Sequence, residues 1–363
     1  MDRIDITIIG AGVIGLAIAA EIARPDLSVF ILEKNNAHGG GISSRNSEVI
    51  HSGIYYPEGS LKASLCVAGN RMLYEISVKN KLPHKKTAKL IVAVKKEEDE
   101  DLERLYDNGK KNSVTSLELI SKKKVSDMEP NVQAHAALYS PDTGIISAHD
   151  LMKYFLATAL NNKAHIVYQT KVVRVEKESN HYRIFTHNAK GESFEYSSAV
   201  VINAAGLESD TIANMMGSNY RLHYCKGDYC SVSGVKKGTV QRLIYPVPAK
   251  KPIGLGVHLT MDLNGRFKLG PDTTFIDRKE DYNVKSEKAD FFYQSASQFL
   301  PFLKKENIHP DMAGIRPKLQ GPADDFRDFV IKEDSPGFIN LVGIESPGMT
   351  ASPAIARLVR KML

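Results

Sequence analysis

A glycine-rich turn near the start of this 363-residue chain has the spacing of a dinucleotide-binding site. Gly10, Gly12 and Gly15 form the pattern G-x-G-x-x-G directly after an apolar run. The first glycine permits a tight turn, the second lets the backbone approach a pyrophosphate, and the third lets the following helix pack closely on the sheet. The first helical turn, with Val13 and Ile14, supplies N–H groups and a partial positive charge to the phosphates.

An acidic residue stands where ribose hydroxyls would need an acceptor. Glu33 follows Gly12 by 21 residues, at the end of a second strand-like run. A carboxylate at this position can accept hydrogen bonds from a ribose, and Lys34 beside it is assigned to the same site. The glycine pattern alone is a weak signal. Two strands, a helix and the acid in register together predict nucleotide binding.

Two later segments favour FAD over NAD as the nucleotide. Residues 201–206 form an apolar strand that ends in small residues, so a loop at Ala205 and Gly206 can lie close to the same cofactor. Near the C-terminus, Gly348, Met349 and Thr350 precede the last predicted helix. The N-terminus of that helix could direct its dipole at an electron-rich ring carbonyl of a flavin. An enzyme that uses only NAD has no need to bring its C-terminus to the cofactor.

The composition excludes several other classes of protein. With 42% hydrophobic and 25% charged residues, the chain is an ordinary globular protein. Its net charge of +6 is spread over scattered lysines, without the clustered basic and aromatic residues that bind nucleic acid. Three cysteines are too few for a disulfide scaffold, and their spacing does not fit a metal site. We therefore predict a cytoplasmic protein, with peripheral contact at the inner face of the membrane left open.

The longest apolar stretch, residues 13–20, is much shorter than the ~20 residues that cross a bilayer, so no transmembrane segment is expected. The apolar runs instead alternate between strand and helix length. We predict strands at residues 4–9, 28–32, 87–94, 166–176, 182–186, 199–204 and 339–342, a β-rich stretch at residues 222–275, and helices at residues 13–23, 61–79, 97–109, 149–160 and 351–362.

Dinucleotide-type segments therefore occur at both ends of the chain and in its middle. We predict a mixed α/β fold, with a Rossmann-like, three-layer FAD-binding domain and an antiparallel, β-rich substrate domain threaded through it. The expected FAD-binding domain contains residues 1–80, 145–220 and 325–363. Residues 81–144 and 221–324 are expected to form the substrate-binding domain.

Several segments resemble the D-amino acid oxidase-like FAD oxidoreductases, and within them the L-2-hydroxyglutarate dehydrogenase/oxidase group. The most specific segment is residues 45–56, RNSEVIHSGIYY, and further similarity is carried by residues 226–229, 244–248, 256–260 and 314–318. The resemblance extends from Ile4 to Leu358. It implies FAD that is bound non-covalently or, less often, tethered through His or Cys. It also implies a substrate pocket between the two domains, over the flavin ring.

The resemblance also implies roles for individual residues. Arg316 is placed where the family binds a substrate carboxylate, which suits the paired donors of a guanidinium. His51 and His258 are the two candidates for the base that accepts a hydroxyl proton, and the sequence does not rank them. Tyr55, Tyr245, Lys226 and Lys318 are candidate substrate-binding residues. Ser44, Arg45 and Asn46 are expected to bind the flavin phosphate or ring edge, and Val173 is expected to present backbone groups to the adenine.

The expected reaction is FAD-dependent oxidation of a small L-2-hydroxy acid, above all L-2-hydroxyglutarate to 2-oxoglutarate, with the hydride passing to flavin N5. One alternative is a D- or N-substituted amino-acid oxidase on the same scaffold. Another is a non-catalytic flavin-binding redox subunit. The sequence leaves open whether oxygen, a quinone or another flavoprotein accepts the electrons.

Overall fold

The computed structural model describes residues 3–248 and 254–363, which form helices α1–α8 and strands β1–β20. The helices are Val13–Ile22 (α1), Leu61–Asn80 (α2), Asp99–Lys111 (α3), Lys122–Met128 (α4), Ala148–Asn161 (α5), Ser209–Asn214 (α6), Lys288–Ala296 (α7) and Gly348–Arg360 (α8). The strands are Ile4–Ile9 (β1), Val29–Leu32 (β2), Val49–Ile50 (β3), His84–Lys85 (β4), Lys89–Ala93 (β5), Glu118–Ser121 (β6), Ala136–Ser140 (β7), Gly144–Ile146 (β8), His165–Val167 (β9), Thr170–Lys177 (β10), Tyr182–Asn188 (β11), Ser193–Asn203 (β12), His223–Val232 (β13), Leu243–Pro246 (β14), Leu259–Met261 (β15), Phe267–Leu269 (β16), Thr274–Ile276 (β17), Ile308–Lys318 (β18), Val330–Ser335 (β19) and Phe338–Val342 (β20).

The chain divides into two compact units. Unit 1 consists of Met1–Ser44, Ala148–Tyr224 and Arg316–Leu363, and unit 2 consists of Arg45–Ser147 and Cys225–Ile315. Both units are made of separate segments of the chain, and their boundaries differ from those that we expected for the two domains. The first segment of unit 1 ends at Ser44, so residues 45–80, which we expected with the dinucleotide-binding segments, belong to unit 2.

Hydrogen bonds explain why residues 45–80 belong to unit 2. The Asn70 side chain on α2 donates to the carbonyl oxygens of His51 and Asp142, at 2.9 Å each. The Asn108 side chain on α3 donates to the carbonyl oxygens of Ile54 and Tyr56. These side-chain to backbone contacts join the segment to later parts of unit 2, and no periodicity in the sequence predicts them.

Unit 1 is built on a sheet whose centre is parallel. Strand β1 lies between β12 and β2, with Ile8 opposite Ile202 on one side and Ile31 on the other. Strands β20 and β9 continue the parallel arrangement beyond β12 and β2, and β10, β11 and β19 add antiparallel strands. Because both faces of a parallel sheet are covered, its strands are rich in buried aliphatic residues, and the last four residues of β1 are all buried. This unit confirms the predicted Rossmann-like fold.

Helix α1 packs against α5 and α8 beside this sheet. Leu16, Ala17 and Ala19 are fully or almost fully buried, and the small side chains let the neighbouring helices approach. The predicted end of α1 is confirmed to within one residue, because Pro25 stops the helix shortly after Ile22.

Unit 2 is rich in β-structure, as predicted. A nine-stranded sheet has the order β17-β13-β16-β15-β14-β5-β7-β6, with β18 paired to β13, and β3, β8 and β4 form a smaller sheet. Most of the assigned pairs in the larger sheet are antiparallel, whereas β5 and β14 run parallel. All five residues of β5 are buried. Residues 249–253 of the predicted β-rich stretch lie outside the described residues.

The last helix begins earlier than the sequence predicts. Helix α8 starts at Gly348 rather than at residue 351, and the Ala351 N–H donates to the Pro347 carbonyl at 2.9 Å to close its first turn. Pro353 lies inside the helix and has no N–H for the Met349 carbonyl. The Ser352 hydroxyl donates to that carbonyl instead, at 2.8 Å. Gly348, Met349 and Thr350 are therefore the first helical turn and not a preceding loop.

Candidate functional site

The glycine fingerprint forms the turn between β1 and α1, with the backbone contacts expected of it. Gly10 has φ +106°, and a Cβ there would lie 2.6 Å from the carbonyl oxygen of Ala204 at the end of β12. A Cβ on Gly15 would lie 2.0 Å from the Gly10 carbonyl oxygen. Both positions therefore exclude any side chain. The small residues after β12 do approach the turn closely, as the sequence predicts.

Two side chains hold the N–H groups of this turn. Glu33 is buried, and its Oε2 accepts from the Ala11 N–H at 2.9 Å while Oε1 accepts from the backbone and side chain of Asn35. Ser43 Oγ accepts from the Val13 N–H at 2.9 Å. Glu33 is thus fixed beside the turn, where a ribose is expected. Ser43 was not among the predicted residues, since a serine in a polar loop carries no signal of its own.

Two helix N-termini meet next to the turn. Neither Gly12, the N-cap residue of α1, nor Pro347, the N-cap residue of α8, provides a side-chain cap. The two ends are close, because a Cβ on Gly348 would lie 4.0 Å from Ile14 Cδ1. Each end carries a partial positive charge. A group with a pyrophosphate and an electron-rich ring carbonyl, such as FAD, fits this pair of helix ends.

The other predicted cofactor residues have varied surroundings. Val173 lies at a bulge of β10, between Val172 and Arg174, where the backbone departs from regular pairing with β11. Lys34 forms a partly exposed ion pair with Glu208 at 2.6 Å. These placements do not test the predicted roles.

Predicted cofactor residues lie on both sides of the boundary between the units, where the segment between β2 and β3 passes from one to the other. In unit 1, Ser44 donates to the Gly41 carbonyl. In unit 2, the Arg45 guanidinium lies 4.2 Å from the centre of the Tyr282 ring, and Asn46 Oδ1 accepts from the Glu48 N–H. The predicted cofactor roles of Ser44, Arg45 and Asn46 stay predictions.

Both candidate bases lie in unit 2, and their environments differ. His258 is buried, and its Nδ1 lies 2.9 Å from the Gly256 carbonyl oxygen. Because a carbonyl oxygen only accepts, Nδ1 is the donor in this contact, and the tautomer that it selects has the lone pair on Nε2. For His51, burial and the nearby charge of Lys89 lower the pKa to about 3. His51 is therefore neutral at pH 7 and resists protonation.

Tyr55, Tyr245 and His258 form an aromatic cluster around a residue that the sequence analysis missed. The rings of Tyr245 and His258 are stacked, with centroids 3.7 Å apart. Lys89 Nζ lies 4.5 Å from the centre of the Tyr55 ring and 4.6 Å from that of Tyr245. A single lysine in the apolar run of β5 was the available signal.

The three cationic residues that we predicted to bind the substrate have different surroundings. Arg316 is half-buried on β18 in unit 1, between the buried Ile315 and Pro317. Lys226 Nζ lies 3.5 Å from an Asp228 carboxylate oxygen. Lys318 Nζ donates to Glu345 Oε1 at 2.9 Å. A substrate carboxylate would have to compete with these ion pairs at Lys226 and Lys318.

Replacing Lys318 by methionine is expected to destabilise the protein by about 3–5 kcal/mol. Both members of the pair are buried, and the variant would leave the Glu345 charge without this partner just before α8. The free energy of unfolding, measured in denaturant, checks the prediction. The double variant Lys318→Met/Glu345→Leu should regain most of the loss. Equal stability of the single variant and the wild type would contradict the argument.

The fold and the dinucleotide turn define a nucleotide-binding protein, and comparison with known proteins gives its family. The chain belongs to the DAO family of FAD-dependent oxidoreductases, whose sequence profile matches residues 5–362. It is an FAD-dependent oxidoreductase, as predicted. No helix within residues 3–248 and 254–363 is long and apolar enough to cross a membrane.

Individual relatives are similar over nearly the whole chain. The mitochondrial L-2-hydroxyglutarate dehydrogenase of Arabidopsis thaliana is 38% identical, over 98% of this chain and 82% of that protein. The glycerol 3-phosphate dehydrogenase of Caloramator mitchellensis is 34% identical, over 99% of this chain and 73% of that protein. Among solved structures, the FAD-bound L-alpha-glycerophosphate oxidase of Mycoplasma pneumoniae has a TM-score of 0.90 and 28% identity, and the match covers 100% of this chain and 95% of that one.

Proposed function

We propose that this enzyme oxidises the secondary alcohol of a small L-2-hydroxy dicarboxylate, with L-2-hydroxyglutarate as substrate and 2-oxoglutarate as product. The choice of substrate is supported by the similarity to proteins named L-2-hydroxyglutarate dehydrogenase, at 30–38% identity over 98–99% of the chain. The fixed tautomer of His258 supports the reaction type, because a lone pair on Nε2 can accept a hydroxyl proton.

In this proposal each residue has one task. Arg316 binds the carboxylate next to the carbinol carbon, since a guanidinium offers two parallel donors to a carboxylate. His258 Nε2 accepts the hydroxyl proton. FAD, when bound, supplies the acceptor for the hydrogen and two electrons that leave the carbinol carbon. His51 stays neutral, which makes it a hydrogen-bonding group rather than the base.

A second candidate substrate is glycerol 3-phosphate. It is favoured by the Caloramator relative and by the Mycoplasma structure, whose names give this substrate. The compound also has a secondary alcohol near an anionic group, so the same residues could bind it. Amino-acid oxidation is supported only at the level of the fold, by a glycine oxidase at 21% identity.

The deciding experiment is an anaerobic absorbance spectrum of the FAD-loaded protein before and after each substrate is added. L-2-Hydroxyglutarate should bleach the flavin and yield one equivalent of 2-oxoglutarate, while the D-enantiomer should not. Bleaching by glycerol 3-phosphate alone would favour the second candidate. Bleaching by amino acids with release of ammonia would favour an amino-acid oxidase. A flavin that no small hydroxy or amino acid reduces would refute the proposal.

A further inference from the structure

Lys89 is a buried cation that the proposed reaction does not use. It is 1% exposed, at the start of a strand in which every residue is buried. Among the described residues, no carboxylate lies within ion-pair distance of its Nζ and no side chain or carbonyl accepts a hydrogen bond from it. Its contacts are the faces of two tyrosine rings. A buried ammonium is costly unless something compensates its charge, and two ring faces compensate only part of that cost.

The tyrosines that contact Lys89 have unused hydrogen-bonding capacity. The hydroxyl oxygens of Tyr55 and Tyr245 are both buried, and neither has a hydrogen-bond partner among the described residues. Buried hydroxyls ordinarily have partners. One cation and two hydroxyl donors therefore lie together in unit 2 without an acceptor. An anionic group would satisfy all three.

We propose that Lys89, with the hydroxyls of Tyr55 and Tyr245, binds the second carboxylate of the substrate, the one remote from the carbinol carbon. This inference rests on the proposed function, in which Arg316 takes the first carboxylate. The Tyr245 ring contacts both Lys89 and His258, so the cation and the proposed base belong to one cluster of side chains. Lys89 would then select dicarboxylates over monocarboxylates of the same length.

The charge of Lys89 makes this binding sensitive to pH. The titratable groups around it are His51, Tyr55, Cys66 and Tyr245, and burial raises the pKa values of the tyrosines and the cysteine. Together with the low pKa of His51, this keeps all four neutral between pH 6 and 9. Burial lowers the pKa of Lys89 to about 7. A carboxylate needs the protonated form, so dicarboxylate affinity should fall as pH rises above about 7.

The test compares glutarate with pentanoate, which has the same five-carbon chain but only one carboxylate, by calorimetric titration of the FAD-loaded protein. At pH 6.5 the wild type should bind glutarate at least tenfold more tightly. Lys89→Met should weaken glutarate binding about 30-fold, a typical result of truncating one partner of a buried charge pair, and change pentanoate binding less than twofold. Lys89→Arg should retain glutarate binding and lose its dependence on pH. Lys111→Met, at an exposed lysine on α3, is the matched control.

Thermal unfolding distinguishes a binding role from a structural one. Methionine removes a buried charge at similar volume, so Lys89→Met should melt at the same temperature as the wild type or higher. A lower melting temperature with unchanged glutarate binding would make Lys89 structural. If Lys89→Met weakens the binding of glutarate and of pentanoate equally, Lys89 contacts the first carboxylate. Either result overturns the inference, as does a wild type that does not bind glutarate.

Failure of the proposed function has a different signature. If the wild type does not oxidise L-2-hydroxyglutarate but still binds glutarate through Lys89, the proposed substrate is wrong and the proposed anion-binding role of Lys89 is supported. If the wild type oxidises L-2-hydroxyglutarate but Lys89→Met has unchanged affinity for glutarate and pentanoate, the proposed substrate is supported and the proposed role of Lys89 is wrong.

Discussion

Replacing His258 by alanine is expected to lower kcat for L-2-hydroxyglutarate by about 10²–10⁴-fold, with KM changed only a few-fold. This is the usual contribution of a positioned general base. The Gly256 carbonyl fixes the tautomer, and the Tyr245 ring stacked on the imidazole fixes its plane. The lone pair on Nε2 thus has a defined direction before the substrate arrives. Alanine removes this acceptor, and the hydroxyl proton must pass to water.

The same experiment decides between the two histidines. His51 has a pKa of about 3, because burial and the charge of Lys89 both oppose its protonation. A group with so low a pKa is a weak base near pH 7, because the most effective general base has a pKa close to the working pH. His51→Ala should therefore reduce kcat by less than tenfold.

Stopped-flow measurement of flavin reduction isolates the chemical step from reoxidation by the electron acceptor. Added imidazole should restore part of the rate of His258→Ala, since it can replace the missing acceptor. His187→Ala, at an exposed histidine on β11, is the control for general effects of removing an imidazole. A larger loss of rate in His51→Ala than in His258→Ala would assign the base to His51.

The dinucleotide-binding segments of unit 1 were predictable because their signals are local. Buried parallel strands are rich in aliphatic residues, and a turn with φ +106° at Gly10 requires glycine. These features place β1, α1 and β2 within one residue of their observed bounds. The start of α8 was less predictable. Pro353 has no N–H to donate to the Met349 carbonyl, and the helix tolerates this proline because the Ser352 hydroxyl donates to that carbonyl instead.

The missed features depend on contacts between distant parts of the chain. Strand β18 contains Pro310 and Pro317, which read as breaks in a strand, and its pairing with β13 is a property of the fold. Lys89 is the single lysine in the apolar run of β5, and this local signal does not show which side chains surround its ammonium group. The cluster around it joins a loop, β5 and β14, and only the folded chain brings these elements together.

Replacing Arg316 by alanine is expected to lower kcat/KM for L-2-hydroxyglutarate by about 10²–10³-fold. Truncating one partner of a hydrogen-bonded charge pair costs about 2–5 kcal/mol, and each 1.4 kcal/mol is a factor of ten. The loss should appear in KM, because a carboxylate contact is lost in the ground state. It should also appear in kcat, because the carboxylate next to the carbinol carbon sets the orientation of the reacting C–H bond.

Arg316→Lys tests the geometry of this contact separately from its charge. Lysine keeps the positive charge but cannot donate two parallel hydrogen bonds, so it should recover KM more fully than kcat. Added guanidinium should rescue Arg316→Ala, whereas it should not affect Arg357→Ala, at an exposed arginine on α8. If Arg316→Ala instead has kcat and KM within threefold of the wild type, the substrate carboxylate is bound elsewhere. Lys89 would then be the first residue to examine, and pentanoate would lose affinity together with glutarate in Lys89→Met.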